Sequence, residues 1–421
     1  MLTDAGLGKS YSAADLTTMA EMIVHDCPLP ATGAVAWQLP NGADWLAIFL
    51  ATQFAGIAAL PLDPGLNPAQ GRSLAQRLGA SHWWDGRKLH PLGPASRRWA
   101  DVAVIKISSG TTGRPKALPC QARHLLADYA HIRAGMGLRA GDVNLGLIPF
   151  GHSYGLGNLV LPLLCDGLPI VTAAAYTITQ VRDWIATHGP TIFPGVPLHF
   201  RLLHQSLGSD NLGRLRLLIS AGAPLTMEVA QAFHSRFGLR LHNFYGSSET
   251  GGICYDRSGR ASLESGAVGK PLPGVKVRLV RGRVSVSGNA VLNAQGRCVL
   301  KDRGAWNKQG DLRLTGRVGR MANISGRKVA LAEIETALRS LPSVTDVWCF
   351  LGHRQHRDFI AAAVETSASN AALRAAAAKS LSAWKLPRIL LALPAFPRTA
   401  RGKTDARALR RLLRLPVLSP A

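Results

Sequence analysis

Ser108-Ser109-Gly110-Thr111-Thr112-Gly113-Arg114-Pro115-Lys116 is the stretch on which the reading of this chain turns. Its small residues let successive backbone N–H groups face a phosphate, its hydroxyls add donors, and its basic residues supply countercharge. It is not a Walker A loop, because its glycines lie three apart and no Gly-Lys-Ser/Thr follows. A bare turn has no use for so many hydroxyls beside Lys116, so the stretch is expected to bind phosphate. Residues 103–107 before it read as a strand, and the chain from Ala122 onward reads as a helix. The local prediction is therefore strand, glycine-rich loop, helix.

The same alternation continues outward through NLGLIPF (144–150), LPIVTA (168–173), RLRLLISAG (214–222) and LRLHNFYG (239–246). Each is a short apolar run ending in a loop of small residues. Strands alternating with helices predict an α/β fold with a mainly parallel sheet, whose ligands gather beyond the carboxyl ends of the strands. Residues 267–315 are turn-rich and alternating, which predicts an antiparallel β subdomain. Helices are expected at 331–341 and 371–385, the second ending before Pro387. The boundary is placed near Gly319-Arg320, giving domains 1–319 and 320–421.

A chain of 421 residues holds two or three domains at roughly 150 residues each. With 47% hydrophobic and 18% charged residues it can bury a large core, which excludes global disorder. Cys27, Cys120, Cys165, Cys254, Cys298 and Cys349 are scattered, with no C-x-x-C pair. Neither a disulfide framework nor a zinc site is expected, and a reducing cytoplasm fits. The start, MLTDAGLGKSYSAADL, lacks the basic flank and apolar run of a signal peptide. The longest apolar stretch, 45–62, contains Thr52, Gln53 and Pro61 and falls short of the roughly 20 residues a bilayer needs. It reads as a buried helix, a turn at Gly56 and a short strand, with no membrane span. Lys and Arg total 49 against 25 Asp and Glu, a net charge of +24. That is either an Arg-rich solvated surface or an attraction for polyanions: ATP, a phosphate-rich cofactor, an acidic carrier protein or nucleic acid. Aromatic residues are dispersed rather than interleaved with the basic ones, so nucleic acid is not the expected partner.

The phosphate-binding stretch resembles the signature of the adenylate-forming superfamily, which includes acyl-CoA synthetases, luciferases of synthetase type and nonribosomal adenylation domains. Further motifs follow the family's order: LPNGADWLAIFLATQFAGIAALPLDP upstream, then PFGHSYGL, ISAGAPL, NFYGSSETGG, GAVGKPLPG, QGDLRLTGR, ISGRKVALAEIE and PRTARGKTDARALR. The resemblance implies a large multi-lobed adenylation domain with mainly parallel sheets and a small β subdomain. A small mobile α+β lid would follow it. The N-terminus is shorter than usual for the family, so the first helices of the large domain are expected to be absent.

The same resemblance assigns roles. Ser108, Ser109, Gly110, Thr111, Thr112, Gly113 and Lys116 would hold phosphate. Ala221, Gly222, Ala223 and Pro224 would pack on adenine, and Tyr245 would stack on it; read alone, these are a turn and a core aromatic. In Gly246-Ser247-Ser248-Glu249, Glu249 would hold Mg²⁺, a hard cation needing oxygen ligands. Ser248 stands where many relatives carry Thr and keeps the hydroxyl for a phosphate contact. Asp311 would accept hydrogen bonds from both ribose hydroxyls, which one carboxylate can do, with Arg317 beside it. The segment between these two is shorter than in most relatives. Lys403 would bridge the acyl oxygen and the α-phosphate, lowering the repulsion between a carboxylate and a triphosphate. His152 would stand beside the acid pocket, its alternative being a core histidine. The pocket itself is expected near His152, residues 193–196 and Gly251-Gly252.

The activity implied is ATP-dependent conversion of a carboxylic acid to an acyl-adenylate, then thioester formation with coenzyme A or with the phosphopantetheine of an acyl carrier protein. Gly326 matches a position where a side chain would block the pantetheine tunnel, which favours a thiol acceptor. Because Lys403 and Gly326 serve different half-reactions, the small domain is expected to rotate about a hinge at Gly319-Arg320. Two readings from other classes compete. Gly151-His152-Ser153-Tyr154-Gly155 satisfies the G-x-S-x-G elbow of serine hydrolases, although the elbow also needs a later acid and histidine, and His353 and His356 fall in the small domain. The basic segment DARALRRLLRL can be drawn as a helix lying on a membrane surface, or as the small domain's last helix.

Overall fold

The apolar run at 45–62 folds as its pattern predicts. Helix Ala43–Phe54 is apolar around almost its whole circumference and is buried accordingly. Its polar interruptions are satisfied locally: Thr52 Oγ1 donates to the Phe49 carbonyl at 2.6 Å, and Gln53 Nε2 to the Ala103 carbonyl at 3.3 Å. Gly56, at φ +66°, turns the chain into strand Ala58–Pro61. The computed structural model describes residues 1–109, 115–206, 212–318, 321–324, 327–354, 357–399 and 404–415. Its residues fall into two units. The first is Met1–Arg278 with Val286–Cys298 and Trp306–Arg313; the second is Leu279–Ser285 and Val299–Ala305 with Leu314–Ala421.

The first unit holds two mainly parallel sheets. One has the order Leu89–Pro91, His82–Trp84, Ala34–Trp37, Ala58–Pro61, Val104–Ser109, Pro115–Cys120. The other has nine strands: Lys270–Pro271, Gly251–Tyr255, Leu241–Ser247, Leu217–Ser220, Ile192–Gly195, Asn144–Leu145, Ile170–Thr172, Leu2–Asp4 and Lys9–Tyr11. Pairing is parallel from Leu241–Ser247 through to Leu2–Asp4 and antiparallel at both ends. AVAW, AALP, IFPG and LLIS are buried at every residue, the pattern of parallel strands covered on both faces.

One expectation is corrected. The chain does not pass from strand to loop to helix at residues 104–122. Pro115–Cys120 intervenes as a strand, antiparallel to Val104–Ser109 with Ser108 opposite Lys116, and only then does helix Ala122–Met136 begin. Proline masks such a strand from a sequence reading. Here Pro115 opens the strand and Pro119 lies within it, at the sheet's edge, where a missing ladder donor is tolerated. The described residues on either side of 110–114 are thus paired strands, and the helix starts only at Ala122.

Asn41 ties the two sheets together. Its amide donates to the carbonyls of Gly146 (3.1 Å) and Ile148 (2.9 Å), and its carbonyl accepts the Phe150 amide at 2.8 Å. Trp45 packs edge-on against Trp37 and Phe150, with centroids 5.7 and 5.5 Å apart. A residue of LPNG thereby fixes where PFGHSYGL begins.

Residues 267–315 contribute the expected small β subdomain, a four-stranded sheet of Lys276–Val280, Arg283–Ser287, Arg297–Trp306 and Leu312–Arg317 in that order. The second unit is built on Val344–Arg354, Arg357–Thr366 and Ile389–Leu393, antiparallel then parallel. Side-chain alternation gives this sheet two apolar faces. Val347, Cys349, Ala362 and Val364 pack with helices Leu331–Arg339 and Asn370–Ser380. Phe350, Ala361 and Ala363 pack with Leu409 and Leu413 of the last helical segment, whose regular helix is Ala406–Leu412. That helix therefore spends its apolar face on its own sheet, not on a membrane. Among the described residues no helix is long and apolar enough to cross a membrane.

Asp142 is the main polar fixture under the nine-stranded sheet. It accepts from the Arg139 amide (2.8 Å), Thr191 Oγ1 (2.8 Å) and Arg216 Nε (2.9 Å), with Arg216 Nη2 on its second oxygen. Burial alone would raise its pKa; the Arg216, Arg139 and Thr191 hydrogen bonds outweigh this and hold it below the usual value. A carboxyl with a depressed folded pKa contributes stability above its unfolded pKa, about 4. That contribution is lost as pH falls through the folded pKa. Asp142→Ala should therefore cost about 3 kcal/mol near neutral pH, the low end for breaking a buried pair, because Arg216 keeps some solvent. Urea unfolding at pH 7 and pH 3 should show the gap between wild type and variant narrowing at the lower pH.

Candidate active site

The carboxyl ends of the parallel strands gather the predicted segments. Leu217–Ser220 runs into Ala221-Gly222-Ala223-Pro224. Gly222 sits at φ +80°, in the left-handed region that a side chain disfavours. The Ala221 amide donates to the Gly195 carbonyl at 3.1 Å, joining this turn to the end of Ile192–Gly195. The neighbouring strand Leu241–Ser247 carries Tyr245, 9% exposed. A register shift between Tyr245 and Gly246 re-aims the chain there. A Cβ on Gly246 would stand 2.8 Å from the Gly251 carbonyl oxygen, so the hairpin closes only over glycine.

Ser247, Ser248, Glu249 and Thr250 form the turn of that hairpin. Ser247 Oγ and Thr250 Oγ1 are 3.0 Å apart, and the Glu249 carbonyl accepts the Leu292 amide at 3.0 Å. Glu249 is half-buried among hydroxyls. Among the described residues no three His, Cys, Asp or Glu side chains come together. A cation here would thus take one carboxylate and complete its shell from phosphate and water, as Mg²⁺ does. The donor set fits magnesium.

The His152 segment meets this turn directly, since Ser153 Oγ donates to Ser248 Oγ at 3.3 Å. Tyr154 Oη donates to the Ile219 carbonyl at 2.9 Å, two residues before Ala221. Burial pushes the Tyr154 phenol well above its ordinary pKa, so the donor stays protonated. His152 caps the short helix that follows, its Nδ1 accepting the Tyr154 amide at 3.3 Å. Near Gly195, burial lowers His199 to about 4. Neutral at pH 7, it accepts the Val196 amide on Nδ1 (3.3 Å) and can present Nε2–H to Tyr176 Oη (3.2 Å). The hydrolase reading is not supported. Ser153 is bonded to a serine, and its φ is not positive, unlike the strained turn of a nucleophile elbow.

Asp311 lies at the end of a tight turn whose side chains hold it: Asn307 Oδ1 accepts the Asp311 amide at 2.7 Å, and Asn307 Nδ2 donates to Asp311 Oδ2 at 3.2 Å. Reciprocal bonds between Val268 and Leu312 (2.7 Å) and between Leu312 and Gly269 (2.8 Å) bring this turn beside the antiparallel end of the nine-stranded sheet. Asp311 adds to the burial that raises the Cys254 thiol, and Cys254 is the register partner of Tyr245. In the second unit Arg317 Nε lies 3.3 Å from Asp302. Lys116 is exposed on its edge strand, and Ser108 lies in the strand paired with it. Gly110, Thr111, Thr112, Gly113, Gly319, Arg320, Gly326 and Lys403 lie outside the described residues, as does the side chain of Ser109. The described flanks of Lys403 are tied down: Arg398 pairs with Thr404, Arg398 Nη2 donates to Glu365 Oε2 at 2.8 Å, and Thr404 Oγ1 to Asp346 Oδ2 at 3.3 Å.

The sequence reading missed Asn41 and two buried charged residues, Asp128 and Lys106. Asp128 Oδ1 accepts the Gly252 amide at 2.8 Å. Burial raises its carboxyl pKa despite Lys106, the Gly252 hydrogen bond and His131, which act the other way. Only charges placed where alternation calls for core residues could have signalled it.

Residues 72–291 match the model of the AMP-binding enzyme family. The chain is similar to the benzoate–CoA ligase of Thauera aromatica, 30% identical over 72% of this chain and 64% of that one. It is also similar to the 4-hydroxybenzoate–CoA/benzoate–CoA ligase of Rhodopseudomonas palustris, 28% identical over 76% and 66%. It thus spans about two thirds of the length of these two ligases. The crystal structure of ATP-bound MatB from Rhodopseudomonas palustris superposes with a TM-score of 0.82, covering 98% of this chain and 95% of that one at 22% identity. That likeness speaks for the fold; the family match covers more than half of the sequence, and the chain belongs to the AMP-binding enzyme family.

Proposed function

We propose that the chain is an AMP-forming acid–thiol ligase, joining a carboxylic acid to ATP as an acyl-adenylate and passing the acyl group to coenzyme A. The carrying observation is the convergence of Ser153 on Ser248, Tyr154 on Ile219 and Ala221 on Gly195 within an AMP-binding frame. In the first half-reaction a carboxylate oxygen attacks the α-phosphorus and the bond to pyrophosphate breaks. In the second the thiol sulfur attacks the acyl carbon, AMP leaves, and the thiol proton passes to solvent. The assignments expected from the sequence supply the groups. The 108–113 loop with Lys116 and Ser248 holds phosphate, Tyr245 and residues 221–224 hold adenine, and Asp311 with Arg317 holds ribose. Lys403 offsets charge at the α-phosphate. Magnesium, when bound by Glu249, neutralises phosphate oxygens. His152 borders the acid. Domain 320–421, carrying Lys403 and Gly326, turns at Gly319-Arg320 between the half-reactions. The six free thiols suit a reducing cytoplasm, and the net charge of +24 suits an acceptor rich in phosphate.

Acid-dependent ATP–pyrophosphate exchange tests the reading. Benzoate and hydroxybenzoates head the panel of acids, because the similar ligases are named for them. No exchange with any acid would end the proposal. Transfer from preformed acyl-adenylate to an acyl carrier protein but not to coenzyme A would reassign the acceptor.

Three substitutions follow from the roles. Glu249→Gln removes one ligand charge, and the Mg²⁺ concentration for half-maximal exchange should rise about ten-fold. Asp311→Ala loses charge-assisted hydrogen bonds of roughly 1.5–3 kcal/mol each, so kcat/KM for ATP should fall at least about ten-fold. Lys403→Ala should abolish exchange yet largely spare thioester formation from supplied acyl-adenylate; equal loss of both steps in a folded variant contradicts its role.

A further inference from the structure

Asp128 and Lys106 are 3% and 4% exposed, and neither has a part in the chemistry set out above. Withdrawing two charges from water is costly, and an apolar pair would pack a core as well. What distinguishes this pair is where it stands. Asp128 projects from helix Ala122–Met136 and accepts the Gly252 amide, three residues beyond Glu249. Gly251, at φ +72°, leaves room for the carboxylate: a Cβ there would come within 2.3 Å of Oδ1. The second oxygen, Oδ2, lies 3.5 Å from where a Cβ on Gly157 would be, in the π-helical turn Leu156–Val160 that follows His152 and Ser153. Lys106, the opposing charge, lies two residues before Ser108 and on the same side of its strand. One carboxylate therefore meets two segments that each lead into part of the predicted site, and the charge of Lys106 acts on it from the strand before Ser108.

We propose that Asp128 is a positioning residue that holds the Glu249 turn against helix Ala122–Met136. Gly252 is its direct contact, and the Ser153–Ser248 hydrogen bond extends the same alignment to the His152 segment. The inference rests on the proposed role of Glu249, but its mechanical part, the restraint on residues 249–255, does not. An uncharged side chain that still accepts from Gly252 should substitute for Asp128 once Lys106 is also neutral. Without that acceptor the turn loses its anchor.

The test uses the full chain in two measurements, Mg²⁺ dependence of ATP–pyrophosphate exchange and amide hydrogen–deuterium exchange of the peptide spanning 249–255 without ligand. Asp128→Ala should raise the Mg²⁺ half-saturation about ten-fold and speed amide exchange in that peptide by at least as much, the effect of one lost charge-assisted hydrogen bond. Asp128→Asn keeps the acceptor but strands Lys106, and should raise both values less. Adding Lys106→Met to Asp128→Asn should return both to within about three-fold of wild type, less than the worth of one such bond. Should Asp128→Ala not fold, Asp128→Asn and its double variant carry the same comparison. Wild-type values in folded Asp128→Ala, or an Asn variant that the second substitution does not rescue, overturn the proposal. A wild-type chain with no acid-dependent exchange would defeat the proposed function instead, and the amide-exchange arm then decides the positioning role alone.

Discussion

Parallel pairing of Ile192–Gly195, Leu217–Ser220 and Leu241–Ser247 is the constraint from which the site follows. Parallel strands share one direction, so every loop leaving a carboxyl end emerges along the same sheet edge. Gly195 and Ala221 become neighbours there, and Ser220 lies beside Asn243, whatever their distance in sequence. The polar groups of these segments bond to neighbouring strand ends and to one another: Ala221 to Gly195, Tyr154 to Ile219, Ser153 to Ser248. The adenine, magnesium and acid segments inferred from the sequence are thus one structure because the sheet gives their loops nowhere else to go.

Two buried carboxylates serve that edge differently. Asp142 has four hydrogen bonds, two of them from Arg216, and its charge is well compensated below the sheet. Asp128 has one backbone donor, and burial moves its pKa up rather than down despite the charge of Lys106. The first strengthens the scaffold. The second sits where the scaffold meets the loops, where a carboxylate can hold backbone in place without itself touching a substrate. The net charge of +24 favours the approach of anions in general.

Much of this was legible in order along the chain. The 45–62 run, the strands at 217–220 and 241–247, the β-rich 267–315 region and the last helix all appear where apolar period and turn residues placed them. The strand Pro115–Cys120 did not, because two prolines spoke against it and only its position at a sheet edge makes them harmless. Asp128 was not singled out, since periodicity shows which residues share a face but not what that face meets. Nor was Asn41. Its three hydrogen bonds reach across more than a hundred positions, a separation no local pattern encodes.

The sequence by itself determined the groups on offer: a stretch of hydroxyls and glycines, a carboxylate at Glu249, an aromatic at Tyr245, and the family to which these belong in this order. Residue type and spacing suffice for that, because donors, acceptors and conformational freedom are properties of the side chains and the local backbone. Only the tertiary structure decided which of them meet. It paired Val104–Ser109 with Pro115–Cys120, bonded Ser153 to Ser248, and brought the Asp128 carboxylate to the Gly252 amide 124 positions away. Those contacts depend on strand order and on the burial of charge, which are set by the whole chain packing at once and by no segment of it.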